Sequence, residues 1–315
     1  METTILGRTG MKVSRLGIGL AEIGVQNMEE IADVGHLLNS ALDSGINFLD
    51  TAACYGISEE LIGRTVAHRR NEYYLATKCG HSTDPDTGRV YRDAFNSPES
   101  WTAGIIEASI DRSLKRMNVD YVDLVQLHSC SLDVLKQGEV IEALVKTRDK
   151  GKTRFIGYSG DNDAAMFAIT TNLFDTLQTS FNLVEQHAKS KLFDIAVAHE
   201  MGVIAKRPIA NGAWGSKGSP VVNFLLGYAD EYFRRAQLMM EGGPILDAPA
   251  DRIELALGFV LAHSVVHTAI VGTTNLSHLQ SNIAMVESQN FLSENALNEL
   301  YRRFNELGED WYQLG

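Results

Sequence analysis

The chain has 315 residues, of which 44% are hydrophobic and 22% charged, and its formal net charge is −12. That composition supplies a sizeable core and argues against disorder. The negative balance, with basic residues scattered rather than gathered into a stripe, repels a phosphate backbone and argues against a nucleic-acid partner.

In chain order, the N-terminal METTILGRTG lacks both a basic n-region and an apolar h-region, so a cytoplasmic protein without a secretory signal is expected. TTILGRTGMKVSR predicts a short hairpin turning at Arg8-Thr9-Gly10, a plug for the floor of whatever follows. Eight apolar or β-branched runs then predict strands at 15–20, 47–51, 73–78, 122–128, 154–159, 176–180, 202–207 and 268–272. Amphipathic stretches between them, including MEEIADVGHLLNSALDSG, SEELIGRTVAHRR, PESWTAGIIEASIDRSLKRM and SKLFDIAVAHEM, predict helices. Eight such alternations predict a single (β/α)8 TIM barrel over 1–315, because a closed parallel sheet removes both edges and buries every strand.

Two features break the rhythm. A long loop after the seventh strand, 211–250, is too long to lack structure and predicts helices within 221–241 and a lid-like role; an extra C-terminal helix is expected at 293–309. The most apolar region, 255–272, is interrupted by His263, Ser264 and His267, and so reads as a helix then a strand rather than a membrane span. A doubly wound sheet is the competing fold. Its phosphate fingerprint fails, since Gly17-x-Gly19 is followed by Glu22 where a third glycine is needed, and Gly151-Lys152-Thr153 lacks the P-loop's first glycine at Lys146.

In such barrels, side chains at the C-terminal ends of strands face the mouth, where active sites are built. Asp50 ends the second strand, Tyr55 follows in its loop, Lys78 ends the third and His128 the fourth. Singly, each is equally well explained as an ordinary loop or core residue. Jointly they suit one chemistry. A buried lysine and a buried aspartate are costly alone and tolerable as a pair. A tyrosine of ordinary pKa ~10 is a poor acid near neutrality, but a cation within about 4–6 Å favours its phenolate. Tyr55 then serves as proton donor to a carbonyl oxygen, or as base towards an alcohol, with His128 orienting the substrate. Hydride has to come from elsewhere, which implies a nicotinamide cofactor across the mouth. Its phosphates suit RPIANG (207–212) and GTTNLSHLQSN (272–282), after strands seven and eight, with Thr274 or Asn275 capping the helix that follows.

Taken together, NFLDTAACYG with SEELIG, LATK, VDLVQLH, FIGYS, LQTSFNLVEQ and GTTNLSHLQSN resemble the aldo-keto reductases in order and spacing over nearly the whole chain. The resemblance implies a tetrad of Asp50, Tyr55, Lys78 and His128 with Tyr55 as donor. It implies NADPH, with NADH as the alternative, and a small carbonyl compound or sugar as substrate. Ser159 and Gln178 match residues that hold the nicotinamide carboxamide, whereas Gly160 stands where an asparagine is usual and Asn162 is placed to compensate. Arg207 occupies the place of a stacking aromatic ring. Ile209, Asn211 and Gly212 would meet the pyrophosphate, and Gly272, Thr274, His278 and Asn282 the adenosine end. Ser281 replaces an acid usual there. Trp214, Tyr91, Phe95 and Trp311 are candidates for the pocket wall.

Other chemistries compete. Lys78 could form a Schiff base in a lyase, although an acid beside it rather than a second cation argues against that. A non-catalytic cofactor-binding subunit, like the potassium-channel β subunits of the same family, is a further alternative, as is an aldose dehydrogenase working oxidatively. Cys54, Cys79 and Cys130, an odd number without C-x-x-C spacing, argue against disulfides, and packing is expected for them rather than zinc, even with His81 nearby. Oligomeric state is not readable from the sequence.

Overall fold

The computed structural model describes residues 1–84, 100–214, 229–288, 292–308 and 310–314. Tyr91 and Phe95 lie outside the described residues, as does 215–228 of the long loop. Two strands, β1 (Thr3–Ile5) and β2 (Lys12–Ser14), pair antiparallel as the expected hairpin, turning through a 3-10 helix at Gly7–Thr9 and a left-handed Gly10. Eight more strands follow: β3 (Leu16–Gly19), β4 (Phe48–Asp50), β5 (Tyr74–Cys79), β6 (Val122–His128), β7 (Thr153–Ser159), β8 (Thr176–Ser180), β9 (Gly202–Lys206) and β10 (Thr268–Gly272). They close into a parallel barrel in sequence order, with β10 pairing back onto β3. All eight predicted strands are present, each displaced by at most a residue at either end.

Strand side chains alternate between the barrel interior and the surrounding helices. The interior floor is apolar: Phe48, Ala76, Leu124, Ile204 and Ile270 cluster there with Leu6, Met11 and Val13 of the hairpin, which therefore plugs the barrel from below. Two residues further along each strand the interior turns polar, with Asp50, Lys78, Gln126, Ser159 and Gln178, all buried. Register aligns these positions, pairing Lys78 with Gln126, His128 with Ser159, and Ser159 with Gln178. The opposite faces carry Leu75, Val125, Ile156, Leu177 and Val203 into a larger apolar cluster under the helices. At about 1.5–3 kcal/mol per fully buried aliphatic side chain, that outer layer dominates the stability.

The helices depart from expectation in places. The 28–45 stretch opens with a 3-10 turn capped reciprocally by Asn27 and Glu30 before the helix Ile31–Asp43. Helix 103–117 starts only after Thr102, whose side chain accepts from Ile105 N, so residues 100–102, expected in the helix, are not helical. The region 187–198 forms two short helices, His187–Lys191 and Phe193–Ala198, separated at Leu192. Within the long loop the helix Ala229–Met240 is present, and Glu294–Leu307, capped by Ser293, is the extra C-terminal helix. Among the described residues no helix is long and apolar enough to cross a membrane.

Candidate active site

Asp50 and Lys78 stand on neighbouring strands inside the barrel. Lys78 Nζ lies 2.5 Å from Asp50 Oδ2 and donates a second hydrogen bond to the Thr51 carbonyl at 2.9 Å. Asp50 Oδ1 accepts from Gln178 Nε2 at 2.9 Å and from Gln126 Nε2 at 3.4 Å, while Ser159 Oγ donates to Gln178 Oε1 at 2.8 Å. Both charged side chains are at most 2% exposed, so the carboxylate and ammonium compensate each other where water cannot.

Tyr55 reaches this pair from the loop after β4. That loop is held by Gly24, whose carbonyl accepts from Ile57 N at 3.2 Å, and a Cβ on Gly24 would come within 1.9 Å of the Tyr55 carbonyl oxygen. Lys78 Nζ sits 4.9 Å from the centre of the Tyr55 ring, and the His128 ring meets that ring edge-on at 5.6 Å. Burial holds the His128 imidazole well below its ordinary pKa, helped by His81 and by the charge of Lys78, so it is neutral at physiological pH. Its Nδ1 lies 3.2 Å from Cys54 Sγ. The Cys54 thiol is pushed up to about 12, chiefly by burial and only partly offset by Lys78, which leaves it protonated.

The structure thus gathers Asp50, Tyr55, Lys78, His128, Ser159 and Gln178 into one connected set. The remaining expected residues lie at the same end of the barrel. Arg207 follows β9, donates to Ser180 Oγ at 3.3 Å and to the Leu314 carbonyl, and has a left-handed backbone, as do Ala210, Asn211 and Gly212. Ile209 is half-buried in the same segment. Gly272 ends β10 opposite Gly19 of β3. Asn275 caps the helix Leu276–Glu287 by accepting from Ser277 N and His278 N; Thr274 and His278 are exposed and Asn282 is buried. Trp214 belongs to the outer apolar cluster with 5% of its surface accessible, and Trp311 packs against Phe304, so neither ring stands open at the mouth.

Several neighbours carried no local signal. Asp161, just past the Ser159-Gly160 pair, accepts from Thr179 Oγ1 (2.7 Å), Ser180 N (2.8 Å), Ser180 Oγ (3.1 Å) and Gln313 Nε2 (3.1 Å), and pairs with Lys206 Nζ at 2.9 Å. Its pKa falls despite burial because Lys206, Arg207 and these donors outweigh the desolvation. Gln313 also accepts from Asn162 N at 3.2 Å, so Asn162 meets the C-terminal segment. Trp101 stands edge-on to His81 at 5.2 Å, and Gly80 makes room for it: with φ +118° and a Cβ that would fall 2.0 Å from the indole, only glycine fits there.

The sequence profile of the Aldo/keto reductase family matches residues 15–300. The chain belongs to that family. Its relatives among the aldo-keto reductases and other oxidoreductases include the uncharacterized oxidoreductase YqkF of Bacillus subtilis (strain 168), 27% identical over 92% of each chain. L-galactose dehydrogenase of Arabidopsis thaliana is 29% identical over 91% of this chain and 88% of its own. Among solved structures, the holo form of an aldo-keto reductase from Bacillus halodurans superposes with a TM-score of 0.77 at 25% identity, covering 96% of both chains. The chain is thus an oxidoreductase of the aldo-keto reductase family.

Proposed function

We propose that this oxidoreductase reduces an aldehyde or ketone to an alcohol with NADPH, using Tyr55 as proton donor. The observation that carries the reading is the ammonium of Lys78, fixed by Asp50 at 2.5 Å and lying 4.9 Å from the Tyr55 ring. Positive charge at that distance favours the phenolate that Tyr55 becomes when its proton leaves. Asp50, itself held by Gln178 and Gln126, keeps the ammonium in place, and neutral His128, edge-on to the Tyr55 ring, hydrogen-bonds the substrate oxygen through its second ring nitrogen. A bound dihydronicotinamide supplies the hydride.

The residues present suit such a dinucleotide. Asn211 carries a buried amide nitrogen without an acceptor among the described residues, in a segment of left-handed backbone of the kind that cradles phosphate. In this reading Ser159 and Gln178 hold the carboxamide, Arg207 stacks on the nicotinamide, and Ile209, Asn211 and Gly212 meet the pyrophosphate. Gly272, Thr274, His278 and Asn282 take the adenosine end. Residues 272–282 include no lysine or arginine to grip a 2′-phosphate, which keeps NADH as the alternative. The substrate is a small carbonyl compound or sugar, with Trp214 backing its pocket.

Likeness to L-galactose dehydrogenase favours a second reading, oxidation of an aldose, in which the same tetrad runs in reverse and Tyr55 accepts the proton. Fluorescence titration with NADPH and NADH, followed by a screen of aldehydes, ketones and aldoses in both directions, tests both. Binding of neither dinucleotide, or turnover of no carbonyl or aldose, would overturn them.

A further inference from the structure

We propose that Cys54, His81 and His128 form a binding site for a thiophilic divalent cation, zinc(II) foremost, at the mouth of the barrel. One ligand atom from each of the three, a thiol sulfur and two imidazole nitrogens, lies within 4.8 Å of the others, and Cys54 Sγ is already 3.2 Å from His128 Nδ1. Around tetrahedral zinc, with Zn–S near 2.3 Å and Zn–N near 2.0–2.1 Å, neighbouring ligand atoms stand roughly 3.3–3.6 Å apart. One edge of that polyhedron is therefore in place, and closing the others takes about 1.3 Å of side-chain movement.

The three come from separate parts of the barrel: the loop after β4, the residue pair beyond β5, and the end of β6. Both imidazoles pack against other rings, with His81 4.8 Å from His128 and edge-on to Trp101. Of the three cysteines in the chain, Cys79 and Cys130 direct their thiols to the carbonyls of Gln126 and Ser131, so Cys54 alone serves this cluster. One sulfur and two nitrogens without a carboxylate select zinc or cobalt over calcium or magnesium. Binding forms a metal–thiolate bond and releases the thiol proton to solvent, with no change of oxidation state. Three protein ligands leave a fourth coordination position open.

Metal at this site takes a ring nitrogen of His128 and so competes with turnover; this consequence rests on the carbonyl-reductase reading, whereas the binding does not. The test loads the full-length protein with one equivalent of zinc chloride, desalts it and measures metal by elemental analysis. About one zinc per chain is expected, and cobalt(II) in its place should give a thiolate-to-metal charge-transfer absorption. Cys54→Ser should abolish that absorption and weaken zinc binding at least tenfold, and His81→Gln should weaken it comparably, whereas His199→Gln, after the helix Phe193–Ala198 and outside the cluster, should not. The same zinc should depress turnover reversibly by chelator, and Cys54→Ser should raise the inhibitory concentration at least tenfold. Zinc bound at one per chain with turnover unchanged supports the site and counts against the role given to His128. Absence of the cobalt–thiolate band in the unaltered protein, or zinc affinity in both variants equal to that of the parent, overturns the proposal, and the first of these readouts needs no variant to fold.

Discussion

Replacing Lys78 with methionine removes the ammonium and keeps most of the stem's volume. Taking the 4.9 Å from Nζ to the Tyr55 ring centre as the charge separation, 332/(ε·r) at an effective dielectric constant of about 20 gives about 3 kcal/mol of phenolate stabilisation. At 1.36 kcal/mol per tenfold, turnover should fall roughly 10²- to 10³-fold. The substitution also strands Asp50 as an uncompensated buried carboxylate, which should cost about 3–5 kcal/mol of folding stability. Those two effects separate in the double variant Lys78→Met with Asp50→Asn. Loss of both charges should return most of the stability, measured by urea unfolding, while kcat with saturating dinucleotide stays as low as in the single variant. A double variant that regains both stability and turnover would show that the pair matters for folding alone, and would refute the electrostatic reasoning.

Gly24→Ala pushes a methyl group to within 1.9 Å of the Tyr55 carbonyl oxygen, so the loop must move. A displacement of about 1 Å should lower kcat on the order of 10²-fold with little change in dinucleotide affinity; turnover within twofold of the parent would contradict this. Asp161→Ala leaves the Lys206 ammonium without its partner and removes the acceptor of Gln313 Nε2, so urea unfolding should show about 3–5 kcal/mol less stability. Stability should also fall as the solution is acidified below pH 6.5. Burial lowers the pKa of His263 and His267, and His267 Nδ1 accepts from Val203 N, so below the ordinary histidine value the unfolded chain binds protons that the folded one refuses. The urea midpoint should be lower at pH 5 than at pH 7.5, and His267→Asn should shrink the difference; an unchanged midpoint across that range would contradict the assignment.

Much of this molecule is legible in its sequence because the informative patterns are local. Strand alternation and helix periodicity place β3–β10 to within a residue, and the strand-end rule puts Asp50, Lys78 and His128 at one mouth before any contact is known. What escapes the sequence is long-range. Gln126 reads as one polar residue in an apolar strand, and only barrel closure brings it beside Asp50, 76 positions away. Asp161 reads as a loop acid, yet its partners Lys206 and Gln313 come from β9 and the C-terminal segment. Arg207 reads as a candidate for stacking, and its tie to the Leu314 carbonyl depends on where the last residues return. The late start of helix 103–117 had a local signal, since Thr102 is a good cap, but the helical pattern of the preceding residues masks it.

The central claim is that the Tyr55 hydroxyl delivers the proton, and Tyr55→Phe tests it by removing one oxygen while leaving the ring that Lys78 and His128 pack against. In stopped-flow single turnovers with prebound dinucleotide and a carbonyl substrate, the account predicts that dinucleotide affinity is kept and that the oxidation phase slows at least 10³-fold. An oxidation rate within tenfold of the parent would contradict it.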